Sequence, residues 1–180
     1  SKKQFSVIKN VLSAAFAEEE ELIYLAMADF TFKMVNLSGI TVKNLSQITY
    51  KINSDSRPDF PKFYPKAQTL LMKGVVINMN TGKMNLMKVK SENFGVYQDY
   101  YPERNEVAIA SYNENVVTTY DAANGDLKQS YHLSAKTSSN KYVKYSADGN
   151  LLAIATKSLL QILELKTGKV VKSIVPEDYI

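Results

Sequence analysis

The sequence predicts an all-β chain assembled from four copies of one four-stranded antiparallel unit. Three observations carry that reading. Gly39, Gly82, Gly125 and Gly168 follow one another at intervals of 43 residues, in a chain that holds only seven glycines. Around each of them lie short apolar or β-branched stretches bounded by Gly, Pro, Asn and Asp, as strands are bounded by turns. The one stretch whose composition favours a helix, VLSAAFAEEEELIYLAMA at 11–28, aligns with YVKYSADGNLLAIAT at 142–156, which reads as strand, turn, strand. A repeat outranks local propensity.

The units run over about 5–48, 49–91, 92–134 and 135–180. In unit one an aromatic, Phe16, precedes the polar turn 18–21; then come LIYLAMA (22–28), FKMV (32–35), the Gly39 turn and ITVKNL (40–45). Unit two has Tyr64, the turn 65–68, TLLM (69–72), VVINM (75–79), Gly82 and KMNLMKV (83–89). Its middle hairpin is trimmed near Lys73-Gly74. The long stretch TYKINSDSRPDFPK (49–62) restores the period, with Arg57-Pro58 and Phe60-Pro61 holding it extended. Unit three has Tyr101, the turn 102–106, VAIAS (107–111), VVTTYD (116–121), Gly125 and DLKQSYHL (126–133). Unit four has Tyr145, the turn 147–150, LLAIAT (151–156), QILEL (161–165), Gly168 and KVVKSI (169–174). Glycine suits the third turn because a tight hairpin commonly needs one positive φ. Asp148-Gly149 is expected to do the same one hairpin earlier. Tyr142 and Tyr145 are read as packing between units, and Phe5, Val7 and Ile8 as candidates for an outer strand on the last unit.

A period near 43 residues with four strands per unit is the pattern of a β-propeller blade. The stretch 142–174, YVKYSADGNLLAIATKSLLQILELKTGKVVKSI, resembles the Trp-Asp (WD) repeat superfamily and its divergent bacterial relatives of the YVTN type. It carries the family's aromatic–Ser–x–Asp–Gly–x–x–Leu–Ala run, a strand ending in an acid, and Thr-Gly-Lys. The chain has no tryptophan. Tyr120-Asp121, Leu163-Glu164, Ile77-Asn78 and Met34-Val35 stand where the family has Trp-Asp, and His132 is not in a Gly-His pair. The family's buried Asp–His–Ser/Thr–Trp network is therefore not carried over, and the missing Trp after the Thr-Gly turn argues against the pyrroloquinoline-quinone enzymes. The resemblance implies a complete small ring, part of a larger ring, or two chains completing an eight-bladed ring.

Composition narrows the function classes. There are no cysteines, which excludes disulfides and cysteine-based zinc or nucleophile chemistry. The net charge of +4 is mild and its lysines are scattered, so the sequence argues against nucleic acid as partner. No apolar run approaches the length of a membrane span. Thr-Gly-Lys at 81–83 and 167–169 lacks the upstream glycine of a phosphate loop. The acid run 18–21 reads as a solvated hairpin tip, and His132 as a residue of an outer strand. No cofactor or metal is expected.

What remains is the surface that propellers ordinarily use, the loops between units and those joining the second and third strands. By register these hold Asp29, Lys73, Tyr112, Asn113 and Lys157, with Arg57, Asp59, Lys136 and Lys141 between units. Their mixed polar and aromatic character suits a protein or peptide partner. The first expectation is a non-catalytic scaffold. One alternative is a carbohydrate- or small-ligand-binding module or hydrolase that brings Asp29, Asp55, Asp59 and Glu114 to a central channel. Another is a structural portion of a larger protein. A homodimer completing a ring is a further expectation, and a cytoplasmic setting is slightly favoured over a bacterial periplasmic or surface one.

Overall fold

The computed structural model describes residues 7–17, 21–27, 31–45, 62–72, 74–89, 97–111, 114–133, 142–156 and 158–175. Among the described residues sixteen strands form four antiparallel sheets of four, each built from consecutive strands. The first sheet holds β1 (Val11–Ala17), β2 (Leu22–Met27), β3 (Phe32–Asn36) and β4 (Thr41–Leu45). The second holds β5 (Lys62–Tyr64), β6 (Thr69–Met72), β7 (Val75–Asn78) and β8 (Met84–Leu86). The third holds β9 (Gln98–Tyr101), β10 (Glu106–Ala110), β11 (Val116–Asp121) and β12 (Leu127–His132). The fourth holds β13 (Tyr142–Tyr145), β14 (Leu151–Ala155), β15 (Leu160–Glu164) and β16 (Lys169–Ile174). The helix-prone stretch of unit one is thus two strands, as the repeat requires. Among the described residues no helix is long and apolar enough to cross a membrane.

The third turn is built alike in every sheet. The glycine N–H donates to the carbonyl of the last β3, β7, β11 or β15 residue: Asn36, Asn78, Asp121 and Glu164, at 2.8–2.9 Å. The side chain of that last residue then ties the turn. Asn36 Oδ1 accepts from the N–H of Ser38 and Ile40, Asn78 Oδ1 from Asn80 and Thr81, and Asp121 Oδ1 from Ala123. Glu164 Oε2 accepts from the Thr167 hydroxyl at 2.6 Å. Such Asx-type closure selects an acid or amide at the strand end. It also corrects one assignment: Val35-Asn36, not Met34-Val35, is the first unit's equivalent of Tyr120-Asp121. The turn to Gly39 is one residue shorter than the other three, so a fixed offset from the glycine misplaces the pair.

A bulge recurs beside each of three of these turns. The register shifts between Met34 and Val35, between Thr119 and Tyr120, and between Ile162 and Leu163. Val42, Lys128 and Val171 are the extra residues on the outer strands, which sharpens the local twist. A second correction concerns the recurring aromatic. Pairing with the second residue of the following strand places Phe16 opposite Ile23, Phe63 opposite Leu70, Tyr100 opposite Val107 and Tyr145 opposite Leu152. The equivalents in units two and three are therefore Phe63 and Tyr100, not Tyr64 and Tyr101. The 3-10 turns Pro65–Ala67 and Pro102–Arg104 shift the count by one.

The described chain divides into two compact parts, Ser1–Met72 with Val76–Met84, and Lys73–Val75 with Asn85–Ile180. In the first part Leu25, Met27 and Val35 form a cluster on which Ile8, Val11 and Ile23 pack. Tyr24 stacks on Phe63 with ring centroids 3.7 Å apart. Ile8 thus serves the first sheet, and β16 supplies the outer strand of the fourth, against the expectation that residues 5–8 would do so; Phe5 lies outside the described residues. In the second part the core lies between the third and fourth sheets. Ala108, Ala110, Val117, Tyr131 and Leu133 face Val143, Tyr145, Leu152, Ile154, Leu163 and Leu165. Tyr145 belongs to this core but Tyr142 is exposed. Their spacing of three puts them on opposite faces of a period-two strand, yet the Tyr142 ring packs on Tyr97 of the third unit with centroids 3.9 Å apart, so both tyrosines meet the preceding unit and only Tyr145 is buried.

The Asp148 turn carries a pH prediction. Asp148 Oδ1 accepts from the Ser146 hydroxyl at 2.6 Å, and its two oxygens take the N–H and side-chain amide of Asn150. These bonds favour the ionised form, the Ser146 hydroxyl foremost, and lower the carboxyl from 3.8 to about 2. A lowered folded value means that the stability it contributes is complete above pH about 4 and is lost as the pH falls toward 2. The urea midpoints of the native chain and Asp148→Asn should differ at pH 5 and converge near pH 2. A constant difference across that range would show that ionisation plays no part.

Candidate functional site

All nine residues expected at the binding surface lie outside the described residues: Asp29, Arg57, Asp59, Lys73, Tyr112, Asn113, Lys136, Lys141 and Lys157. So does Asp55, which leaves Glu114 as the one described residue of the four carboxylates considered for a central channel, and so do Glu18–20 of the acid run. What the structure gives is the footing of the hairpins that carry several of them. At the hairpin of Tyr112 and Asn113, the Ser111 N–H donates to the Val116 carbonyl at 3.0 Å and the Glu114 N–H to Ser111 Oγ at 3.1 Å. At the hairpin of Lys157, the Thr156 N–H donates to the Leu159 carbonyl at 2.8 Å and its hydroxyl reaches the same oxygen at 3.1 Å. A hydroxyl residue just after the second strand thus anchors both connections, as Ser and Thr do in local turns. At the hairpin of Asp29, Met27 N–H donates to the Thr31 carbonyl at 2.9 Å.

Beside the Ser111–Glu114 footing lies a cavity of about 470 Å³ over one face of the third sheet. Ile109, Val116, Thr118 and Tyr120 form its floor from β10 and β11, and Leu127, Ser130 and His132 line it from β12. Lys88, Ser111 and Glu114 add charge and hydroxyl character at its border. Tyr120 is buried and its phenol is raised above the usual range, chiefly by that burial. The Lys88 ammonium pairs with Asp126 at 2.5 Å, and its N–H donates to the Gly125 carbonyl. That ion pair is exposed and worth about 0–1 kcal/mol. His132 sits on the outer strand, as read from the sequence. A pocket of this size, half apolar with a few polar groups at its edge, suits a side chain or short segment of a ligand. Among the described residues no three His, Asp or Glu side chains gather as a metal site.

A second polar cluster, hidden from sequence reasoning, joins the third sheet to the fourth. Asp99 on β9 is fully buried. Its Oδ1 accepts the Lys144 ammonium and its Oδ2 the Tyr145 backbone N–H, both at 2.9 Å. Alongside, the Tyr145 hydroxyl donates to Glu106 Oε1 at 2.9 Å, and Lys128 lies 3.3 Å from Glu106 Oε2. Burial pushes the Tyr145 phenol far above its ordinary range, and the Glu106 charge adds to the shift. Tyr131 is raised for the same two reasons, in the same order. A buried charge persists only when paired and bonded, so this cluster acts as a clamp between inner strands. The one available signal was an acid beside two tyrosines in a short strand, QDYY.

No protein-family model and no curated protein matches the chain. Among solved structures it is similar to the β-propeller domain of Cps50 (Swd1) from Myceliophteria thermophila. The TM-score is 0.69 at 13% identity, over 98% of this chain and 58% of that one. It is also similar to hydrazine synthase of Kuenenia stuttgartiensis, with a TM-score of 0.66 at 11% identity, over 97% of this chain and 51% of that one. The chain therefore spans little more than half the length of these solved chains. The four sheets are β-propeller blades, and the fold is all-β as the repeat implied. At such identities the likeness is one of fold alone.

Proposed function

We propose that the chain is a non-catalytic interaction module of WD-repeat-like propeller type, which receives a protein or peptide at the connections between the second and third strands of its blades. The observation that carries this reading is the cavity at the foot of the Tyr112–Asn113 hairpin. Its mixed lining, with Lys88, Glu114 and His132 around an apolar and tyrosine floor, is the composition of a peptide-contacting surface rather than of a sealed core. The propeller fold supports the reading in general terms, because its blades present successive loops on one rigid frame.

The test places a photo-crosslinking amino acid at Tyr112 or Lys157, and, as a control, at Lys166 in the Gly168 turn at the other end of its sheet. Adducts to a defined protein are expected from the first two positions and not from the third. Alanine at Lys73, Tyr112, Asn113 and Lys157 should then weaken that interaction at least tenfold while the melting temperature stays within a degree or two. If the variants bind as the native chain does, the proposed surface is wrong.

A further inference from the structure

We propose that Tyr97 and Tyr142 are a site of oxidative cross-linking, at which a peroxide-driven one-electron oxidant joins the two phenol rings and so bonds the third sheet covalently to the fourth. The inference concerns a covalent modification and goes beyond the interaction role above. Tyr97 directly precedes β9, its carbonyl accepting from the Ala110 N–H at 3.1 Å, and Tyr142 opens β13 opposite Ala155. Their ring centroids are 3.9 Å apart, with planes tilted by 37°. That is no farther than the two rings of a biphenol lie once joined. Tyr142 is 57% exposed and Tyr97 half-buried, so an oxidant in solvent reaches the pair. The register is fixed by the strands themselves. Two residues further along each, Asp99 Oδ1 accepts the Lys144 ammonium at 2.9 Å, and residues two apart share a face. The clamp that ties β9 to β13 therefore also holds the rings together.

The chain has no cysteine and no tryptophan, the side chains that otherwise compete with tyrosine for a one-electron oxidant. Each phenol gives up one electron and its hydroxyl proton. The two radicals join through a ring carbon beside each hydroxyl, and the hydrogens on those carbons move to the oxygens, which restores both phenols. The pair loses two hydrogen atoms in all, and one hydrogen peroxide takes them up to become two waters. In a chain without cysteine the new bond takes the part of a disulfide, closing the loop between β9 and β13. Geometry selects against another tyrosine pair at the same junction. Tyr101 and Tyr145 have centroids 5.5 Å apart. Tyr145 is buried, with its hydroxyl bonded to Glu106. Tyr101 lies over Gly149, where a Cβ would stand 2.1 Å from its ring, so that ring is confined.

The test treats the dilute native chain with hydrogen peroxide and a haem peroxidase. A single-chain product lighter by two hydrogens is expected, with the fluorescence of a biphenol, and proteolysis should leave the fragment of Tyr97 joined to that of Tyr142. Methionine oxidation adds oxygen and is told apart by mass. Tyr97→Phe and Tyr142→Phe keep the ring contact and remove the phenol. Each should abolish the product with circular dichroism unchanged, whereas Tyr101→Phe should retain it. The proposal is overturned if the product survives in either of the first two variants, or if it forms only between chains. It is also overturned if the native chain gives none while N-acetyltyrosine in the same reaction is coupled. Photo-crosslinking at Tyr112 and Lys157 leaves these readouts unmoved, so the two readings fail separately.

Discussion

Gly125→Ala is expected to destabilise the chain by about 3–5 kcal/mol, whereas Gly168→Ala, the same exchange in the same turn, should cost about 1–2 kcal/mol. Both glycines have positive φ, +75° and +69°, so both pay the left-handed penalty of an L side chain. They differ in what a methyl group would meet. At Gly168 the nearest atoms are on the Tyr131 ring at 3.6 Å, an ordinary contact. At Gly125 a Cβ would lie 1.9 Å from the Leu86 carbonyl oxygen. That obstacle is backbone and cannot swing aside, and the Gly125 carbonyl is itself bonded to the Lys88 N–H. Relief requires moving the segment after β8, which also carries Lys88 and its ion pair to Asp126. Urea denaturation of the two variants decides the matter. Equal losses would mean that the turn conformation alone sets the cost and that the close approach to Leu86 relaxes freely.

Asp99→Ala is the other large effect, about 3–4 kcal/mol, because it leaves the buried Tyr145 N–H without its acceptor beside a glutamate that is already buried. Lys144→Ala removes the opposite partner of the same carboxylate and should cost much less, about 0–1 kcal/mol, since its ammonium is mostly in water. Tyr145→Phe falls between, at about 1.5–3 kcal/mol, for the lost bond to Glu106. The order Asp99, Tyr145, Lys144 is the content of the prediction. It fails if removing Lys144 proves as damaging as removing Asp99, for the ion pair would then outweigh the bond to the backbone. Asp99→Asn keeps an acceptor for the Tyr145 N–H and should recover part of the loss.

The repeat was legible because the device that enforces it is local. A glycine with positive φ and an acid or amide three or four residues earlier close each third turn by themselves, so spacing alone reveals them. The same locality explains why VLSAAFAEEEELIYLAMA was read as two strands in spite of its helix formers. Errors arose where a count had to cross an irregular turn. The 3-10 turns moved the aromatic from Tyr64 and Tyr101 to Phe63 and Tyr100, and the shorter Asn36–Gly39 turn moved the Trp-Asp equivalent to Val35-Asn36. Tyr142 does meet the preceding unit, through the Tyr97 ring, but parity with Tyr145 leaves it exposed. The Asp99 clamp was beyond reach for a different reason. Its partners lie 45 and 46 residues away, and nothing in QDYY states which residues of the next blade will arrive there. The cavity over the third sheet is likewise a product of assembly, drawn from Lys88, β10, β11 and β12 together. The nine loop residues fall outside the described chain, and the footings at Ser111, Thr156 and Met27 concern only the hairpins of Asp29, Tyr112, Asn113 and Lys157.

Among the described residues every strand pairs only with its neighbours in sequence. A nascent chain therefore completes each sheet when its fourth strand leaves the ribosome, without waiting for a distant segment, and the loops to be closed stay short. The contacts that must wait are those between blades, among them Tyr24 on Phe63 and the carboxylate of Asp99 meeting the Tyr145 amide. Emergence of β13 is thus the step that turns a preassembled third sheet into a docked pair, and until then Asp99 and Glu106 are held in water.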